Sequence, residues 1–205
     1  MLLVKSKFSR KLELDEMRIQ ETELRGVFVI EPTRHGDHRG FFSETYNESA
    51  LKAAGIQTTW VQDNHSFSVA KGVVRGLHFQ TGAKAQTKLL RVTRGSILDV
   101  AVDIRLESPT FGRYVAMELS AENWRQLYIP EGFAHGFCTL TENCEVMYKV
   151  SNLYAPEAEG GLLWNDNDLG INWPISSTDA TLSDKDKKWP SLTELKRSLQ
   201  IKTQH

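Results

Sequence analysis

Ser96-Ile97-Leu98-Asp99-Val100-Ala101-Val102-Asp103-Ile104 is the stretch whose pattern decides the fold class. Leu98, Val100, Val102 and Ile104 recur at every second position, with Asp99 and Asp103 on the opposite side. Side chains two residues apart share a face on a β-strand, whereas a helix would scatter them. The β-branched valines and isoleucines suit a pleated surface. Working outward, Tyr114 to Leu119, Gln126 to Ile129, Phe137 to Leu140 and Cys144 to Val150 repeat the theme between turn residues. Their spacing of about ten residues predicts an all-β sandwich or small barrel, a group that includes jelly rolls.

Helical signals are few. Asn47 to Gly55 has an Asn N-cap and a Gly stop, and Ser183-Asp184-Lys185-Asp186 reads as a capped helical turn. Leu192, Leu195 and Leu199 mark an amphipathic tail helix. Without an internal repeat or low-complexity linker, residues 17–205 read as one domain, with a β core over about 26–175 and a helical segment over about 182–201. Lys5 to Asp15 is charged and carries no strong strand pattern; residues 1–16 read either as an upstream extension before Met17 or as a short frayed terminus.

The 205 residues are 40% hydrophobic and 25% charged, the composition of an ordinary globular chain with one well-buried core. A net charge of -1 offers no broad field for nucleic acid or an anionic membrane. No apolar run approaches a membrane span, and Met1-Leu2-Leu3-Val4 is too short for a signal-peptide core. Cys138 and Cys144 fit neither a zinc pair nor a disulfide framework, so reduced thiols and a cytoplasmic location are expected.

Val74-Arg75-Gly76-Leu77-His78-Phe79-Gln80, followed by Lys88, concentrates the chemistry. It sets an imidazole, suited to proton abstraction near neutral pH, beside two cations that suit a phosphate or a developing oxyanion. Strict alternation puts Arg75 on the face opposite His78, so both serve one site only if the strand bulges, which Gly76 permits. In Cys144 to Val150, Tyr148 shares a face with Val146 and Val150, and a phenol directed into an apolar interior needs a partner or serves as one. Pro130-Glu131-Gly132-Phe133-Ala134-His135 resembles the second motif of the cupin jelly roll, where the histidine often binds metal. The first motif of a metal cupin needs a His-x-His pair, and here the triplet is His78-Phe79-Gln80. Two imidazoles without a carboxylate are thin coordination, so a jelly roll working without metal or other cofactor is expected.

Taken together, these segments resemble the dTDP-4-dehydrorhamnose 3,5-epimerases, cupin-fold enzymes of nucleotide-sugar metabolism. The resemblance runs from about Met17 to Trp189. It is carried by Gly36-Asp37-His38-Arg39-Gly40-Phe41-Phe42, Val61-Gln62-Asp63-Asn64-His65-Ser66, Arg75 to Gln80, Asp99 to Arg105, Ser108-Pro109-Thr110-Phe111-Gly112, Ile129 to Phe137 and Tyr148-Lys149. It implies epimerisation at the carbons flanking a C4 ketone. His78 is then the base, oriented by Asp186 or, with a shifted alignment, Asp184; Tyr148 is the acid, and Lys88 stabilises the enolate. It further implies His135 in the active site, Arg39 and Arg75 on the diphosphate, Gln62 and Asn64 around the nucleotide and sugar, and Phe42, Glu44 and Tyr154 near the thymidine. A homodimer with exchanged N-terminal strands would deliver Arg39, Phe42 and Glu44 to the neighbouring site. The chain departs from the family at Leu153, where a second aromatic is commoner, and by one extra residue between Trp173 and Asp186. An epimerase acting at C3 or C5 alone and a non-catalytic sugar-nucleotide binder are the rival readings.

Overall fold

Two stacked antiparallel sheets carry the chain in the computed structural model, which describes residues 10–203. In chain order the elements are β1 (Arg10–Glu13), β2 (Met17–Glu21), β3 (Phe28–Pro32), β4 (His35–Asp37), β5 (Gly40–Phe42), α1 (Glu48–Ala53), β6 (Gln62–Ser68), β7 (Val74–Gln80) and β8 (Lys88–Arg94). They continue with β9 (Ser96–Asp103), β10 (Tyr114–Ser120), β11 (Gln126–Ile129), β12 (Phe133–Thr139), β13 (Cys144–Val150), β14 (Glu159–Gly161) and α2 (Leu192–Thr203). The larger sheet runs β1-β2-β3-β11-β8-β13-β6 and the smaller β10-β9-β12-β7-β14, while β4 and β5 pair only with each other. This is the expected cupin-type double-stranded jelly roll. No described helix is long and apolar enough to cross a membrane.

Both faces of β9 are buried. Ile97 and Ala101 join Leu90, Leu127, Val146 and Phe137 in the core between the sheets. Val100, Val102 and Ile104 pack outward beneath a covering layer that includes Leu169 and Leu195, with Leu192 and Leu199 alongside. The tail helix thus buries the leucine stripe its spacing predicts. Asp99 and Asp103 therefore point into the sandwich, and both are fully buried. Asp103 is satisfied by Arg105, Ser108 and Thr110 in the turn that follows; Asp99 belongs to the site below. On the outer side of the larger sheet, Met17, Ile19, Ile30 and Leu89 pack against Leu51 of α1. The Asn47 side chain accepts from Ala50 N, and Gly55 follows with φ +85°, the cap and stop read from the sequence.

Two stretches differ from the expected pattern. Arg10–Glu13 forms a strand despite its charge, because it borrows the backbone ladder of β2 at a sheet edge, where charged residues are tolerated. The strand expected from Phe137 begins at Phe133. Its first half carries His135 and Gly136, which break the apolar alternation, yet Phe133 to Thr139 pair in continuous register with β9.

Candidate active site

Arg75 and His78 do line one cavity, as a bulged β7 requires. Across the junction with β12, His78 lies opposite His135 and Arg75 opposite Phe137, so Gly76 and Leu77 together face Gly136 alone. The extra residue turns Arg75 onto the inner side while Leu77 and Phe79 stay in the outer apolar layer. The cavity, about 440 Å³, lies between the two sheets under the C-terminal segment.

From that segment comes Asp186, at the start of a 3₁₀ turn (Asp186–Lys188). Its Oδ1 lies 2.5 Å from His78 Nε2 and accepts from Trp189 Nε1 at 3.2 Å, while Ser183 Oγ accepts from Asp186 N at 3.1 Å. Burial alone would raise the Asp186 carboxyl; the hydrogen bond from His78 and its charge more than offset that and hold it below the usual carboxylate range. A carboxylate accepts only, so the imidazole donates from Nε2, and its neutral form carries the lone pair on Nδ1. Asp184, the alternative, is solvent-exposed and paired with Lys187.

From the larger sheet, β13 directs Tyr148 into the same cavity and β8 contributes Lys88. Tyr148 packs beside Val146 against the inter-sheet core, as the period-two reading requires. Burial pushes its phenol above the ordinary value, partly opposed by Arg75. The Lys88 ammonium makes no hydrogen bond or ion pair among the described residues. Burial pulls it down to about 8, against the attraction of Asp99 and Glu159. His135 is held by Asp99, Nε2 to Oδ1 at 2.8 Å, and burial lowers its pKa more than that carboxylate raises it.

The remaining predicted residues spread outward. Arg75 donates from Nε to Ser68 Oγ at 3.2 Å and from Nη2 to the Phe67 carbonyl at 3.0 Å, leaving other N–H groups at the cavity. Tyr154 is exposed, with its hydroxyl donating to Glu159, which in turn pairs with Lys185 at the cavity wall. Gln62 donates to Asn64 on β6; Asn64 borders a smaller space of about 170 Å³ beside Tyr148, and neither lines the His78 cavity. Arg39, Phe42 and Glu44 do not line it either. Arg39 is bound to Asp37 on the exposed β4–β5 hairpin, Phe42 faces solvent, and Glu44 accepts from Asn47.

Sequence reasoning did not assign Asp99, Glu159, Lys185 or Trp189 to the site. Asp99 left a signal, a carboxylate in the middle of a valine-rich strand, whereas Glu159 opens a three-residue strand and Lys185 and Trp189 border a short turn, elements too brief to carry a periodic pattern. Gln80 is committed elsewhere: its amide donates to the Lys84 and Leu153 carbonyls and accepts from Ala155 N, pinning the loop that carries Tyr154. The donor set of a metal cupin is thus not assembled at this position, and among the described residues no three His, Cys, Asp or Glu side chains group as metal ligands.

Comparison with known proteins gives this geometry a family. The pattern of the family described as dTDP-4-dehydrorhamnose 3,5-epimerase matches residues 21–194. A dTDP-4-dehydrorhamnose 3,5-epimerase of Salmonella typhimurium is 53% identical over 179 residues, 87% of this chain and 97% of that protein. The crystal structure of a Bacillus anthracis dTDP-4-dehydrorhamnose 3,5-epimerase with TDP and PPi bound is similar at a TM-score of 0.83 and 49% identity, covering 85% of this chain and 99% of that one. A 3'-monoepimerase from Streptomyces bikiniensis in complex with dTDP-quinovose follows at 0.79 and 34% identity, covering 89% and 96%. Matches of this length and identity leave one assignment: the chain belongs to the dTDP-4-dehydrorhamnose 3,5-epimerase family.

Proposed function

We propose that this protein is an isomerase that inverts C3 and C5 of dTDP-4-dehydro-6-deoxy-D-glucose to give dTDP-4-dehydro-L-rhamnose. One observation carries the reading: a carboxylate-held histidine and a phenol enter one cavity from opposite sheets, and the strand beside the phenol's adds a lysine with no hydrogen bond or ion pair among the described residues. A C4 ketone acidifies the hydrogens on both neighbouring carbons. His78 Nδ1 takes one of them, and Asp186 stabilises the imidazolium that results. Lys88 holds the enolate oxygen, and Tyr148 delivers a proton to the face opposite the base, so the centre inverts. His135, fixed by Asp99, adds a polar group beside the sugar. Arg75 and Lys185 give the mouth a positive edge that suits a diphosphate.

Identity favours dual over single epimerisation, at 53% and 49% to the 3,5-epimerases against 34% to the 3'-monoepimerase. Arg39, Phe42 and Glu44, remote from this chain's own cavity, serve the site of a second copy in a homodimer with exchanged N-terminal arms. Gln62, Asn64 and Tyr154 complete the nucleotide and sugar contacts. Two free buried cysteines, Cys138 and Cys144, fit a cytoplasmic setting. The test is turnover of the synthetic 4-keto nucleotide sugar in deuterated water, read by NMR. Deuterium at both C3 and C5 is expected. Label at one carbon establishes the monoepimerase, and binding without exchange establishes a non-catalytic sugar-nucleotide protein.

A further inference from the structure

Trp124 is a bulky residue in the left-handed backbone region, at φ +60°. That conformation is ordinarily left to glycine or asparagine, and a large side chain adopts it only when its surroundings over-determine it. The turn around it does so. Trp124 N donates to the Ser120 carbonyl, and Asn123 Oδ1 accepts from both Ser120 N and Arg125 N. The indole is thereby aimed at a single segment. The Phe41 ring meets it edge to face, centroids 4.7 Å apart at 90°, and the Arg34 guanidinium lies 5.1 Å from the indole centroid.

Arg34 directly precedes the β4–β5 hairpin that bears Arg39, and Phe41 lies within it. This hairpin joins neither main sheet. Its base is tied down by Ser43 Oγ on the Thr33 carbonyl, by Thr33 N and Oγ1 on the Glu16 and Asp15 carbonyls and by the His35–Glu16 pair, while these bonds leave the tip to the aromatic contact. Neighbouring residues on a strand point opposite ways, so the edge contact of Phe41 with Trp124 turns Phe42 the other way; both rings stay largely exposed, at 61% and 68%.

We infer that Trp124 is a positioning residue, a clamp that sets the direction in which the arm presents Arg39 and Phe42 to the nucleotide site of a second copy. The inference rests on the proposed role of that arm. It makes Trp124 a determinant of substrate affinity that touches neither substrate nor reacting atoms.

The experiment compares Trp124→Asn, which keeps the left-handed backbone and removes the ring, with Trp124→Phe, which keeps an aromatic face. Trp124→Asn is expected to raise KM about fivefold with kcat within about twofold, since only ground-state binding is disturbed. It is also expected to accelerate tryptic cleavage after Arg39 severalfold, followed by mass spectrometry, while Trp124→Phe stays near the parent in both. Parent-like KM and cleavage in Trp124→Asn overturn the clamp, as does a fall in kcat at unchanged KM. Should the parent lack epimerase activity, the functional reading fails, and the cleavage rate alone still decides whether Trp124 holds the arm.

Discussion

Gly76 and Gly136 meet backbone to backbone where β7 bulges against β12. A Cβ built on Gly76 would lie 2.6 Å from Gly136 Cα and from the His135 carbonyl, and one on Gly136 would lie 2.6 Å from the Arg75 carbonyl. Gly76 also holds φ at +118°. The bulge that brings Arg75 and His78 to one cavity therefore exists only while both positions lack a side chain.

Gly136→Ala is accordingly expected to destabilise the fold by about 2 kcal/mol or more, since the atoms it meets are backbone and cannot step aside. Urea denaturation monitored by tryptophan fluorescence measures this. A midpoint equal to that of the parent would show that the two strands separate at little cost.

His78 and Asp186 are expected to behave as a unit. His78→Ala should cost about 10²–10⁴-fold in turnover with the fold retained, because the imidazole lines a cavity rather than filling the core. Asp186→Asn should lose a comparable factor by favouring the wrong tautomer. Asp184→Asn, altering an exposed carboxylate, should leave kcat within about twofold. A severe loss in Asp184→Asn with a mild one in Asp186→Asn would exchange their roles.

Lys88 carries a pH dependence. Its ammonium is lowered from 10.5 to about 8 by burial, so the charge is lost as pH rises through about 8. The kcat/KM profile, which reports groups of the free enzyme, should fall on an alkaline limb near that value, and Lys88→Met, with no enolate stabiliser, should lose about 10²–10³-fold. Stability moves the other way. Below pH 8 both folded and unfolded states hold the proton, and burying the charge costs the folded state up to about 3 kcal/mol. Between pH 8 and 10.5 the unfolded chain binds more protons, so this cost fades. Lys88→Met should therefore be the more stable protein at pH 7, with the advantage shrinking towards pH 10.5. Equal melting temperatures at pH 7 would contradict this.

Tyr148→Phe should separate exchange from inversion. His78 still forms the enolate and returns deuterium to the face it came from, so label enters the recovered substrate. Inverted product, particularly at C5, should fall sharply, while the ring's packing is preserved. Full inversion by the Phe variant would show that a water or another group is the acid.

Activity is expected to survive extensive chelation and dialysis, because the Gln80 amide is occupied by three backbone partners. A loss restored by a divalent ion would reopen the metal-cupin reading.

Much of the architecture lies in local pattern. Period-two alternation is a property of single strands, so which residues of β9 and β13 share a face, Tyr148 with Val146 and Val150 among them, follows from short stretches read alone. So do the cap at Asn47 and the need for a bulge at Gly76. What alternation leaves open is which face looks inward. Asp99 and Asp103 on one side of β9 would ordinarily mark a solvated face. The C-terminal segment instead covers the valine side, so the carboxylates are buried between the sheets, one bracing a turn and the other holding His135.

The sequence by itself determined an all-β chain of short strands, a histidine on one of them with a lysine ten residues on, and a phenol on the face shared with Val146 and Val150, because these depend on spacing within a few residues. Only the tertiary structure decided that Asp186, not Asp184, meets an imidazole 108 positions away. It likewise decided that the Lys88 ammonium makes no hydrogen bond or ion pair among the described residues, and that Arg39, Phe42 and Glu44 do not line the His78 cavity. Those outcomes depend on how distant segments pack, and no local periodicity encodes a contact between residues that far apart.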